Sequence, residues 1–159
     1  MPKREVIGQI NGLTVLALGD HVSAKSSRIT ARVSLGRGQL LNIENIEREA
    51  RMSGRIHDKG FAILTSYIQG KYGQTRPLSL QASIGFEQSY DEIDGDSASS
   101  TKLYAILYQL SDKSLAQGIA VTGSINQNGE VQATGARTRR SRAFSTCATP
   151  RGSRTSKWS

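Results

Sequence analysis

The segment Tyr90-Asp91-Glu92-Ile93-Asp94-Gly95-Asp96-Ser97-Ala98-Ser99-Ser100 gathers the side chains best suited to chemistry. It stands between a stretch of strand periodicity and one of helical periodicity. A serine at a helix N-terminus sits among unpaired backbone N–H groups, at the positive end of the helix dipole. Such donors can hold a developing oxyanion while a hydroxyl attacks a carbonyl. The plainer alternative is that Asp96 or Ser97 is the N-cap, because Asp and Ser are preferred there. Spacing alone favours the cap.

Other candidate groups are weaker. A nucleophile elbow needs glycine where Ser99 stands. Gly95-Asp96-Ser97 also lacks the second glycine pair of a trypsin-like nucleophile. His57 and His21 are candidate bases for a Ser/His/Asp triad, but both are expected to be surface or capping residues, since His57-Asp58 stands where a helix should begin. The acidic run Glu87, Asp91, Glu92, Asp94 and Asp96 could serve acid/base work or hold a cation. It reads better as a solvated turn before a helix that favours negative charge at its start. Gly36-Arg37-Gly38 is a fragment of a glycine-rich loop, and no phosphate-cradling G-x-x-x-x-G-K-[ST] occurs. With one cysteine (Cys147) and two separated histidines, neither a metal nor a cofactor is expected.

These residues need a scaffold. Val6, Ile10, Leu13, Val15 and Leu16, broken by Gly8 and Gly12, suggest two short strands. Arg28 to Leu35 alternates like a half-buried strand. Asn42 to Arg55 reads as loop or short helix. From His57 to Tyr72, Phe61, Leu64 and Ile68 share one helical face. Leu78 to Phe86 alternates as a strand. A second helix should start at Ser97 or Ala98 and bury Leu103, Ile106, Leu107 and Leu110. Gly118 to Ile125 reads as a strand, and Asn128-Gly129 as a type I′ hairpin turn with Val131 to Thr134 returning. Strands and helices mix without βαβ spacing, so the fold class is α+β.

The chain has 159 residues and a mass of 17.2 kDa, a single-domain size. No apolar run approaches a membrane span, and no membrane partner is expected. The net charge of +8 suggests a nucleic-acid binder. Its distribution argues against one. Residues 135–159 hold seven of the basic groups and no acidic ones, leaving 14 basic against 13 acidic in residues 1–134. The expected organisation is a domain over 1–134 and a basic, disordered tail over 135–159, which has no apolar period with which to offset its ordering entropy.

Between Val6 and Gly135 the sequence resembles the proteolytic domain of Lon-type ATP-dependent proteases, most of all the Lon-related branch common in bacteria. The matching stretches are Ile7 to Val15, Glu47 to Gly54, Ser83 to Tyr90, Gly95 to Ser100, Ile119 to Gly123 and Gly129 to Val131. The resemblance implies the α+β Lon proteolytic-domain fold, a ribosomal-protein-like mixed sheet with helices, here with its last elements missing. It implies a serine endopeptidase with Ser97 as nucleophile and Thr122 in support. It implies protein and peptide substrates, a homo-oligomer that is a hexamer in the family, and a cytoplasmic location. The family's ATP belongs to a separate ATPase module that this chain lacks.

One departure is decisive for activity. The family's base is a lysine closing a Gly-Gly-Val-x-Glu-Lys stretch. A buried lysine can lose its proton near pH 7 and take the serine proton. That position falls on Arg140, and arginine stays protonated in proteins. One codon choice for Arg137 to Cys147, read in a shifted frame, gives Asn-Glu-Lys-Ile-Glu-Gly-Phe-Phe-Asp-Val, a family-like continuation. A frame change near residues 134–137, in the gene or its sequencing, is therefore expected, and the chain alone should be almost inactive. The alternatives are a non-catalytic module whose basic tail contacts nucleic acid or an acidic partner, and a non-catalytic subunit of full-length protease chains.

Overall fold

The computed structural model describes residues 5–18, 21–35 and 41–132. The elements are β1 (Glu5–Ile7), β2 (Gln9–Leu18), β3 (His21–Leu35), β4 (Asn42–Asn45), α1 (Ile46–Glu49), α2 (Arg55–Tyr72), β5 (Leu80–Phe86), α3 (Ser99–Leu110), β6 (Ser114–Ala116), β7 (Ala120–Val121), β8 (Ser124–Ile125) and β9 (Val131–Gln132). The Gly36–Gly38 fragment and the 135–159 tail, with its expected boundary, lie outside the described residues.

A five-stranded mixed sheet runs in the order β4-β5-β3-β2-β7. β2 and β3 form a long antiparallel hairpin, β5 adds antiparallel to β3, and β4 and β7 add parallel at the two edges. Period-two alternation divides the sheet's faces. Ile10, Ile29, Ala31, Ala82 and Ile84 pack with Phe61, Leu64 and Ile68 of α2 and with Leu103, Ala105 and Ile106 of α3. Register places Arg28, Thr30, Arg32 and Ser34 beside Asn11, Gln9, Ser83 and Gln81 on the opposite, polar face. Mixed sheet and helices together make an α+β architecture.

Local detail corrects several expectations. Gly8 does separate β1 from β2, but Gly12 lies inside β2. A Cβ there would meet Ile29 Cδ1 at 3.2 Å and Thr101 Cγ2 at 3.5 Å, so this glycine admits close packing and does not break the strand. The stretch read as loop or short helix contains β4, whose only apolar residue, Ile43, is too little to show a period. It is held by parallel pairing to β5. The expected strand Gly118 to Ile125 is two short strands bent apart at Gly123 (φ 154°). β6 was not expected at all.

The Asn128-Gly129 turn is not type I′, because Gly129 (φ 81°) is the only one of the two with positive φ. The Asn126 carbonyl accepts from the Gly129 amide, and its side-chain oxygen accepts from the Asn128 and Glu130 amides. That is a longer loop ending in a left-handed residue, the three-residue alternative to a two-residue turn.

Ile84 is fully buried where the sheet meets the helices. Ile84→Ala should lower the unfolding free energy by about 2–5 kcal/mol in urea titration, from lost burial plus a cavity.

Candidate active site

Ser97 lies in the turn that leads into α3, and it is half-buried. The helix starts later than expected. Its N-cap position is Ala98, with no side-chain cap bond. Neither Asp96 nor Ser97 caps it, which overturns the cap reading. Asp96 uses its backbone carbonyl instead, accepting from the Ser99 amide at 3.0 Å and the Ser99 hydroxyl at 2.6 Å. Among the described residues the Ser97 hydroxyl makes no hydrogen bond.

Backbone contacts fix the far side of the turn. The Ser97 carbonyl accepts from the Gly123 amide at 2.8 Å, and the Thr122 hydroxyl lies 3.4 Å from the same oxygen. The Gly123 carbonyl accepts from the Ser100 amide at 3.1 Å and the Ser100 hydroxyl at 2.7 Å. Ser97 and Thr122, far apart in sequence, are therefore neighbours. Arg140 lies outside the described residues.

Helix α2 fixes the near side. Asp94 Oδ1 accepts from the Ile56 and His57 amides at 3.1 and 3.2 Å, capping α2 from another segment, and from the Gly95 amide at 2.9 Å. Those amides, Gly95 foremost, hold the Asp94 carboxyl below its usual range. Gly95 has φ 101°, a left-handed conformation that glycine tolerates. Gly60 of α2 faces Asp96 so closely that a Cβ on it would lie 2.9 Å from the Asp96 Cβ.

His57 is neither a surface nor a capping residue, contrary to expectation. It is buried, with Nδ1 3.2 Å from the Gly95 carbonyl and Nε2 3.0 Å from Lys102 Nζ. Both ring nitrogens are occupied, so it is not the base of a triad with Ser97. Burial, then the Lys102 charge, lowers its pKa. The His21 side chain is outside the described residues.

Lys102 was not anticipated. It is 1% exposed, in the first turn of α3. Its Nζ lies 2.8 Å from Asn45 Oδ1, 2.8 Å from Glu47 Oε2 and 3.0 Å from His57 Nε2. The Phe61 and Phe86 ring centroids stand 5.5 and 5.2 Å away. The other Glu47 oxygen accepts from the Phe86 amide at 2.6 Å. Burial lowers the lysine's pKa, while the Glu47 carboxylate opposes that shift. In sequence it reads as one polar residue on the solvent side of an amphipathic helix, and no local signal marks it as buried.

The acidic run does not form one cluster. Asp91 and Glu92 are exposed, and Asp94 caps α2. Glu87 binds Gln9, Thr30 and Arg28 at the polar face of the sheet. A cleft beside Asp96, about 580 Å³, runs between Ile56, Lys59 and Ile63 of α2 and Ile125 and Asn126 of the β8 hairpin.

Two outcomes follow from this geometry. Gly60→Ala should cost about 1–3 kcal/mol by urea titration, because backbone and turn are already in contact. Acidification should also destabilise the fold. The unfolded chain binds a proton on His57 near pH 6.5, while the folded chain resists it to lower pH. Stability is thus complete above about pH 6.5 and falls as pH drops from there to the lowered pKa. Urea midpoints measured between pH 8 and 5 should decrease across that window.

No protein-family model matches the sequence. It is 41% identical over 133 residues to a Lon protease homologue of Escherichia coli (strain K12), and 41% identical over 133 residues to one of Haemophilus influenzae. Each match covers 82% of this chain and 22% of the relative, so the chain spans about a fifth of the length of these curated relatives. An archaeal Lon protease of Methanocaldococcus jannaschii is 48% identical over 52 residues, 33% of this chain and 8% of that protein. The chain is thus similar to a stretch of these Lon protease homologues that makes up about a fifth of their length.

Proposed function

We propose that this chain is a proteolytic domain of the Lon type, with that domain's fold, and that Ser97 is its nucleophile for cutting internal peptide bonds of protein substrates. The observation that carries the reading is the Ser97 turn. Its hydroxyl has no structural partner among the described residues, while its backbone is tied down on both sides. A fixed backbone with a free hydroxyl is what attack on a carbonyl requires. The hydroxyl oxygen bonds to the scissile carbon, its proton passes to a base and then to the departing amine, and water later releases the acyl group.

The base is the weak point of this chain. The family's lysine position falls on Arg140, which keeps its proton. Thr122 supports the turn through the Ser97 carbonyl. In this reading the 159-residue chain alone hydrolyses protein at background rate. ATP would be used by a separate module, in a cytoplasmic oligomer, as the relationship to Lon proteases implies.

The test is a chain whose coding frame is shifted from residue 137 onward, restoring a lysine. It should hydrolyse casein, and Ser97→Ala should lower that rate by about a hundredfold or more. A folded, frame-shifted chain that is inert, or whose activity survives Ser97→Ala, overturns the proposal.

A further inference from the structure

Lys102 Nζ stands 3.0 Å from Nε2, the ring nitrogen of His57 that does not contact Gly95, and this has a consequence for how the Ser97 turn is held. Its three contacts are the Asn45 Oδ1, Glu47 Oε2 and His57 Nε2 acceptors. An ammonium has three protons, one for each. The Glu47 carboxylate stands 2.8 Å from Nζ but 4.0 Å from His57 Nε2, so it favours the positive charge on lysine. With Nε2 accepting, the imidazole proton must sit on Nδ1, where it donates to the Gly95 carbonyl.

We propose that Lys102 is a positioning residue for Ser97: it holds His57 as the neutral Nδ1–H tautomer, and His57 in turn fixes the Gly95 carbonyl two residues before the nucleophile. The proposal rests on the reading of Ser97 given above. The charged groups around His57 come from every neighbouring element: Glu47 from α1, Asp58 from its own helix, Asp94 from the turn and Lys102 from α3. β5 supplies the Phe86 ring, 6.2 Å away. Without the Lys102 donor, only the Gly95 carbonyl still favours a proton on Nδ1, and a proton that moves to Nε2 leaves that carbonyl facing a bare nitrogen.

The test is nitrogen NMR of the full ¹⁵N-labelled chain, with His57 assigned by comparison with His21→Gln. At pH 7.5 the expected spectrum shows His57 neutral, protonated on Nδ1 and bare on Nε2. An Nε2–H tautomer or an imidazolium overturns the proposal without any variant being made. Lys102→Met combined with Glu47→Gln removes the donor without stranding a buried carboxylate. It should shift His57 toward the Nε2–H form and raise its pKa. Amide exchange at Asp96 and Ser97 should quicken by about tenfold or more, while Ile29 and Ile84 keep their protection. Equal loosening at all four amides would mean that Lys102 serves overall stability only, and would overturn the proposal. Labelling of Ser97 with a fluorophosphonate, in the frame-shifted chain that carries the lysine, reads the nucleophile separately. Failure there with the expected tautomer counts against the catalytic reading and not against the positioning role.

Discussion

An ammonium group buried under the entrance of a helix sets terms for everything around it. Lys102 is out of water, so its charge needs a counter-charge and its protons need acceptors. Those partners come from different parts of the chain: Asn45 from the end of β4, Glu47 from α1 and His57 from α2. Glu47 then reaches on to the backbone of β5 at Phe86. Five elements thus meet at a single charged group. Apolar packing brings α2 and α3 onto the sheet, but it is directionless. The lysine network adds direction and fixes which part of α2 lies against which part of α3.

The Ser97 turn benefits from that fixed relation. It is strung between two supports, α2 through Asp94, His57 and Gly60 on one side and the Thr122–Gly123 bend on the other. Ser97 sits between them with its carbonyl bound and its hydroxyl unbound among the described residues. The bend at Gly123 serves both ends of this arrangement, because its amide holds Ser97 while its carbonyl holds Ser100. The turn owes its shape to backbone groups and to side chains that hold it from either side.

Much of this was legible in the sequence where one side of an element is apolar and the other polar. Phe61, Leu64 and Ile68 marked α2, and Ala82, Ile84 and Phe86 marked β5, because each buries one face only. β4 and β6 were not legible, since they hold few apolar residues and exist through pairing with distant strands. Ser97 stood out by its neighbours, but the cap reading failed because the helix begins at Ser99, one or two residues later, and spends backbone carbonyls on its first amides. His57 was misplaced at the surface, and Lys102 was overlooked, for a shared reason. Each polar group is buried only because the other is there, together with Glu47, and a pattern along one segment carries no record of a partner 45 residues away.

The pairing of β1 with β6 has a consequence for how the chain comes together. Glu5 stands opposite Ala116, and Ile7 opposite Ser114, so the first described strand closes with one from beyond α3. β2 likewise waits for β7, where Asn11 meets Ala120. The β2–β3 hairpin can form from neighbouring residues, but its outer edge stays unpaired until more than a hundred residues have been made. During synthesis that edge is open to other chains, and the entropy of closing so long a loop must be met before its contacts form. Late closure favours slow maturation, with the exposed edge strand as the place where association with other chains competes with folding.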